Sequence, residues 1–451
     1  MTNLNQPDSQ NDDLTDDLTS SESYGYEMPQ KKKFLPWHKP RKQYVREMQW
    51  TRLIEGLLSE YYPADKVIKY LGLPGDDLLD LRYFHDTICE PKELKLQFLG
   101  FNKGMAPGKA HEASLEISLD EINRLKYVDN KSELIPDDFI QIAGEKSLAW
   151  TKSSDMGPFD VINIDLCDSI AKAGVTEFEE DHYKTLNRLM MLQSFRKKPW
   201  LLFLTTRTNK NSINEQVFDT LKRVYLDNLN KCKGFSDKST ENFYVSNEVD
   251  LNDYCNKENG FSNIFLMGLS KWILGIGVNH NPQSGVEIKN IMGYKVNADA
   301  NHPDLVSIAL QINPIMVAPV DKIGLAHKTA ELIDECSKAV EMLDKLASQE
   351  DIDQLLKSNT ETNNLMIQHS SELLKKARYD TTNYEGWVKI EAEKLDRKNQ
   401  AQAQATVSEA RLKATERSTH DESDFSDKVR LSGLKVVGKI DLETLNRFKK
   451  K

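Results

Sequence analysis

Residues 158–168, Pro158-Phe-Asp-Val-Ile-Asn-Ile-Asp-Leu-Cys-Asp168, constrain the fold more than any other stretch. Val161, Ile162, Ile164 and Leu166 run almost unbroken between Gly157-Pro158 and a terminal pair of acids. A short apolar run of this kind predicts a strand buried on both faces of a parallel sheet. Asp165 and Asp168 fall where that strand ends. Ligands of open α/β sheets bind outside the carboxyl ends of the strands. The sequence therefore predicts a ligand-type cleft beside Asp165.

Strand and helix patterns alternate around this stretch. Residues 44–62 read as a helix with Leu53, Ile54, Leu57 and Leu58 on one side, followed by a short helix over 66–71 and a turn at Gly72-Leu-Pro-Gly75. Leu78–Phe84, Leu94–Leu99 and Ser132–Ile135 read as strands, with a helix over 118–126 and an Asp137-Asp138 cap before 139–143. After the central strand come a helix over 179–195, an apolar strand over 199–206, a helix over 213–230 and an apolar helix over 264–276. Residues 294–297 and 306–312 read as a closing hairpin. Alternation of this kind predicts an α/β fold with a doubly wound, mainly parallel sheet. Beyond Asp321, Ile333, Cys336, Val340, Leu343 and Ala347 step by three and four, the seam of a helix-to-helix contact. The third helix of this extension, from about 384, fades into charged, Gln-Ala-rich sequence.

Charge divides the ends of the chain from its body. Residues 1–30 carry seven acids and no Lys or Arg, and read as a disordered acidic tail. Lys31, Lys32, Lys33, Lys39, Arg41, Lys42, Arg46 and Arg52 follow, interleaved with Phe34, Trp37, Tyr44 and Trp50. Two readings of this segment stand: a nucleic-acid grip made of cations and stacking aromatics, or a linker whose aromatics dock on the core. The net charge of −10 argues against a general nucleic-acid coat. Five scattered cysteines without a CxxC predict reduced thiols, no disulfide framework and a cytoplasmic setting. No unbroken apolar run reaches the ~20 residues of a membrane span. The expected organisation is an acidic tail (1–30), a basic linker and N-terminal helix (31–64), a Rossmann-like domain (65–320), a helical extension (321–417), then a flexible linker with a C-terminal docking element (418–451).

The layout over 65–320 resembles the class I, Rossmann-like, AdoMet-dependent methyltransferases. Leu78-Leu-Asp-Leu81 looks like that family's first strand, Leu134-Ile-Pro-Asp-Asp138 like its adenine-contacting segment, and Phe159–Asp165 like its fourth strand. The resemblance implies cofactor contacts at Asp80, Asp138 and Asp165, with Asp165 as the catalytic carboxylate. The chain also departs from the pattern. Arg82, Tyr83 and Phe84 stand where small glycines should follow the first strand, and Gly100-Phe-Asn102 stands where an acid should end the second. Read without the resemblance, Asp165 is either a hydrogen-bonding or general-base carboxylate or a helix cap, Asp168 is a cap, and Cys167 is a small buried residue. Arg207 either holds an anion or pairs with Asp165 or Asp168.

These readings lead to an expected scaffold: a non-catalytic, methyltransferase-like subunit of a bacterial multi-protein complex, directed at nucleic acid in antiviral defence against phage or plasmids. No cofactor is expected. Protein partners are expected through the C-terminal helices and residues 431–451. The alternatives are an active AdoMet-dependent methyltransferase with an atypical cofactor loop, and a nucleic-acid-binding protein acting through residues 31–52.

Overall fold

The computed structural model describes residues 32–105, 112–172, 182–297, 300, 302–315, 333–394 and 397. Lys31, the acidic tail, residues 106–109 and the 431–451 element lie outside these. Eight strands form one sheet: β1 (Val67–Gly72), β2 (Lys95–Phe101), β3 (Glu133–Ile135), β4 (Val161–Asp165), β5 (Trp200–Arg207), β6 (Ser284–Tyr294), β7 (Leu305–Pro314) and β8 (Glu350–Asp351). Their order is β3-β2-β1-β4-β5-β7-β6-β8. Strands β1 to β5 are parallel, whereas β7 runs antiparallel to both β5 and β6. The sheet is therefore mixed. It is an α/β fold, and the strand order reverses between β1 and β4.

Helices cover both faces. We label residues 40–60 as α1, a continuous helix in which Pro40–Tyr44 and Arg52–Glu60 are α-helical and Val45–Thr51 is a π-helical turn. Residues 79–92 form α2, again with a central π-helical turn. Then come α3 (His182–Gln193), α4 (Glu215–Lys231), α5 (Lys233–Phe243), α6 (Glu258–Asn279), α7 (Glu335–Ala347), α8 (Ile352–Ser358) and α9 (Thr360–Lys376). Side chains alternate along β4 and β5. Ile162, Ile164, Leu202 and Leu204 pack under α3, α4, α6 and α7. Val161, Leu201 and Phe203 pack on the other face with Trp50, Ile54 and Leu57 of α1 and Phe84 of α2. Helix α6 is long and apolar enough to cross a membrane, but 78% of its apolar window is buried in this core.

Three elements differ from the sequence expectation, one of them the first arm of the closing hairpin, which is β6 and ends at Tyr294 where residues 294–297 are expected to form it. The segment read as a short helix is β1, built on β-branched Val67 and Ile68 and on Tyr70. The segment read as the first strand, Leu78–Phe84, is the start of α2. Leu78, Leu81, Phe84 and Ile88 bury one face at helical spacing. The apolar residues of this segment satisfy a strand template over seven positions and a helix template only over eleven.

The cysteine expectation is also corrected. Cys232 and Cys336 are disulfide-bonded, with Cα atoms 5.7 Å apart, and join the residue before α5 to α7. Their separation of 104 positions gives no spacing signal.

Candidate functional site

The crevice of a doubly wound sheet lies outside the carboxyl ends of the strands where the order reverses, here β1 and β4. Asp165 is the last residue of β4. Helix α1 lies over this end of the sheet, and its first turn delivers Lys42. The ammonium donates to both oxygens of Asp165 at 2.6 Å and sits 4.5 Å from the centroid of the Trp50 ring. Burial works against the charge on Lys42, but Asp165, with Tyr294 and Asp80 behind it, outweighs that and holds its pKa above the usual lysine range.

One turn on, Arg46 donates through Nε to Asp80 of α2 at 2.5 Å, and both side chains are buried. Gln49 donates to Asn290 at 2.9 Å and to the Ser307 carbonyl at 3.0 Å, and accepts from the Ser307 hydroxyl at 2.6 Å. Glu47 accepts from Gln43 at 2.8 Å and faces Nδ1 of His369 at the same distance. The polar face of α1 is thus bonded into the sheet, α2 and α9, which is how buried polar groups persist. Burial keeps the Tyr70 and Tyr294 hydroxyls protonated, their pKa values raised above the ordinary tyrosine range.

The residues before α1 continue the seal. His38 is buried; its Nδ1 accepts from the Leu35 amide at 3.1 Å and its Nε2 faces Asp77 at 3.9 Å. Asp77 also takes Lys32 and, at 2.6 Å, the Tyr379 hydroxyl. Phe34 stacks among Tyr379, Tyr384 and Trp387.

With β1 correctly placed, the loop that follows the first strand is Gly72-Leu-Pro-Gly75, not Arg82–Phe84. A Cβ on Gly72 would stand 2.6 Å from the Tyr70 ring. On Gly100 it would stand 2.5 Å from Leu134 and 3.0 Å from Pro74. Asn102, after β2, is latched to the same loop, donating to the Pro74 carbonyl at 2.9 Å and to Asp76 at 3.3 Å.

The candidate residues separate accordingly. Asp80 lies within a helix and pairs with Arg46, so it does not precede a glycine loop. Asp138 caps the helical turn at Phe139–Ala143 through the Ile140 amide and takes Lys103 at 3.2 Å. Asp168 accepts from the Ser169 amide and pairs with Lys172. Arg207 pairs with Asp304 at 2.7 Å, not with Asp165 or Asp168. Cys167 is exposed, contrary to expectation, and desolvation and the nearby Asp165 raise its pKa, which favours the thiol.

The basic segment is not a free phosphate surface. Lys32 pairs with Asp77, Lys39 with Glu391, Arg41 with Asp353, Lys42 with Asp165 and Arg46 with Asp80. Arg41, Lys42 and Arg46 are buried, and among the described residues only Lys33 of the expected contacts is exposed. The linker reading that docks the aromatics on the core is nearer to what is observed. What sequence reasoning missed was the pairing itself: the acids opposite these cations are 34 to 352 positions away and carry no local sign of it.

Comparison with known proteins adds two findings. A family model described as PP_RS20740-like matches residues 31–389. A solved structure of a proposed class I S-adenosylmethionine-dependent methyltransferase from Listeria monocytogenes is similar at 12% identity and a TM-score of 0.32, over 70% of this chain and 73% of that one. No curated protein matches.

Proposed function

The chain belongs to the PP_RS20740-like family, and from that premise we propose that it is a non-catalytic, methyltransferase-like scaffold, a subunit of a bacterial multi-protein complex of the kind used in defence against phage or plasmids. One observation carries the reading. The carboxylate at the end of β4, where a methyltransferase-like site would do its chemistry, is neutralised by Lys42 of the same chain. Both oxygens of that carboxylate accept from a buried ammonium, so they are taken up by the fold's own charge-assisted bonds and not open to a substrate.

The side chains around β1 and β2 do not fit a methyl donor. The space that Gly72 leaves for a ligand's approach is filled by Tyr70, and that over Gly100 by Leu134 and Pro74. Asn102, at the place of a ribose-binding acid, is engaged by the protein itself, donating to the Pro74 carbonyl and accepting from the Gly104 amide. Partner contact is assigned to the C-terminal helices and to residues 431–451, on the apolar residues of that segment.

A second reading is favoured by the Gly72–Gly75 loop, which follows β1 as a cofactor loop would. In it, α1 is a lid over an active AdoMet-dependent enzyme. Calorimetric titration of the full chain with AdoMet separates the two. The scaffold reading expects no saturable heat at ~1 mM ligand, weaker than a binding free energy of about −4 kcal/mol. Saturable micromolar binding would favour the lid.

A further inference from the structure

Helix α7 is fastened unevenly. Its body is held by the core: Ala339, Met342, Leu343 and Leu346 are buried, and Asp344 takes Lys238 and Asn242 of α5, each at 3.4 Å. The first turn has less. Asp334 accepts the Cys336 amide at 3.0 Å, a cap made within the turn itself. Among the described residues, one covalent bond and one ion pair join that turn to the rest of the protein. The bond is the Cys232–Cys336 disulfide. The pair is Glu335 with Lys271 of α6. Its carboxylate is 45% exposed, and a pair so open to water contributes little by itself.

The two sulfurs are not equally reachable. Cys232, between α4 and α5, is buried, whereas Cys336 is only partly so. The turn also forms the wall of a cavity of about 490 Å³ between α3, α4 and α6. Asn187, Lys271, Trp272 and His280 line this cavity, and Glu335 is the α7 side chain in it. The disulfide thus holds, one residue away, the carboxylate that covers the Lys271 ammonium.

We propose that Cys336 is a site of thiol–disulfide exchange, and that the Cys232–Cys336 bond is a reducible latch keeping the first turn of α7 against Lys271. A thiolate of a dithiol reductant attacks the Cys336 sulfur, forms a mixed disulfide and releases Cys232, which takes up a proton. The reductant's second thiolate then attacks the reductant sulfur of the mixed disulfide, closes the reductant's own disulfide and releases Cys336, which is protonated in turn. Two electrons and two protons pass from the dithiol to the protein. The freed turn draws Glu335 off Lys271 and opens the cavity onto that ammonium, while the body of α7 stays in the core.

The test is hydrogen exchange and lysine acetylation of the full chain before and after ~10 mM dithiothreitol, with thiols counted in denaturant. The count should rise from three to five. The amides of Lys338, Ala339 and Val340, which bond back to the first turn, should then exchange at least about tenfold faster, and those of Leu343 and Leu346 should not change. Lys271 should be acetylated by an N-hydroxysuccinimide ester only in the reduced chain, and reoxidation should reverse both effects. Cys336→Ser should show the reduced pattern with or without dithiothreitol, and Cys232→Ala is the second variant if Cys336→Ser does not fold. A bond that resists reduction in the folded chain would overturn the proposal, as would a first turn equally protected once five thiols are counted. So would loss of protection throughout α7, or failure of both variants to fold, because the bond would then be a staple of the whole fold.

Discussion

Lys42 reaches across 123 positions of sequence to place its ammonium 2.6 Å from both carboxylate oxygens of Asp165. The pair joins the first turn of α1 to the end of the central strand. Around it, Arg46–Asp80, Gln49–Ser307 and the Trp50–Phe203 stack fasten the same helix. The carboxylate that the sequence presents as a site is, in the fold, the seat of a helix.

Lys42→Met should therefore destabilise the protein. It leaves Asp165, whose side chain is only 19% exposed, without its cation. Breaking a pair of this burial is expected to cost about 3 kcal/mol in urea unfolding. Asp165→Asn added to Lys42→Met should restore part of the loss, because the uncompensated charge is gone. A single variant as stable as the parent would mean that the pair is solvated and does not hold α1.

His38 predicts a pH dependence. Burial pushes its pKa down from 6.5 to about 4, against the pull of Asp77. The unfolded chain takes up a proton near pH 6.5 and the folded chain only near pH 4, so the unfolded state binds more protons in between. Stability is then complete above pH 6.5 and falls as the pH drops towards 4. The full loss is roughly 3 kcal/mol, of which about 2 kcal/mol falls between pH 7 and pH 5. Urea midpoints at the two pH values, for the parent and for His38→Gln, measure it. The variant should show the smaller difference; equal differences would assign the pH dependence to other groups.

Nucleic-acid binding through residues 32–52 should be absent. Phosphate contacts need cations that can exchange counterions, and a basic segment that neutralised several phosphates would show a steep salt slope. Arg41, Lys42 and Arg46 are instead buried against carboxylates. A titration of single- and double-stranded DNA at low salt should give no binding by the full chain. Binding that weakens linearly in log salt, and disappears with Lys42→Met and Arg46→Met, would contradict this.

The disulfide adds a further expectation. Cys232 and Cys336 close a loop of about a hundred residues, for which chain entropy gives an upper value of roughly 4–5 kcal/mol. Reduction, or Cys336→Ser, should lower the melting temperature and loosen α7 from α5 first. An unchanged melting temperature under strong reductant would show that the bond contributes nothing to the fold.

Much of the fold was legible from local pattern. The apolar runs at 161–164 and 200–204 lie in strands buried on both faces, and Leu186, Leu189, Met190 and Gln193 are the buried side of α3. Asp138 caps the helical turn at Phe139–Ala143, which its position before that turn suggested. Two things were not legible. Val67–Gly72 was too short and too mixed for its period to decide between strand and helix, and the error displaced the glycine loop by one element. The charge pairs of α1 could not be read at all, because a run of cations looks the same whether it meets solvent or distant carboxylates. The sequence points to Asp165 at the end of a strand, and the structure has it there, but the Lys42 contact that covers it depends on residues that only the tertiary fold brings together.

The measurement that bears most directly on the central claim is hydrogen exchange along α1, with and without AdoMet. If α1 is a fixed part of the core, the amides of Val45, Trp50 and Ile54 should exchange only through global unfolding, as slowly as those of Val161 to Ile164 in β4. AdoMet should change neither set. If α1 is a lid, its amides will exchange orders of magnitude faster than those of β4, through a local opening that AdoMet alters. That second result would contradict the closed-scaffold account and return Asp165 to the candidates for catalysis.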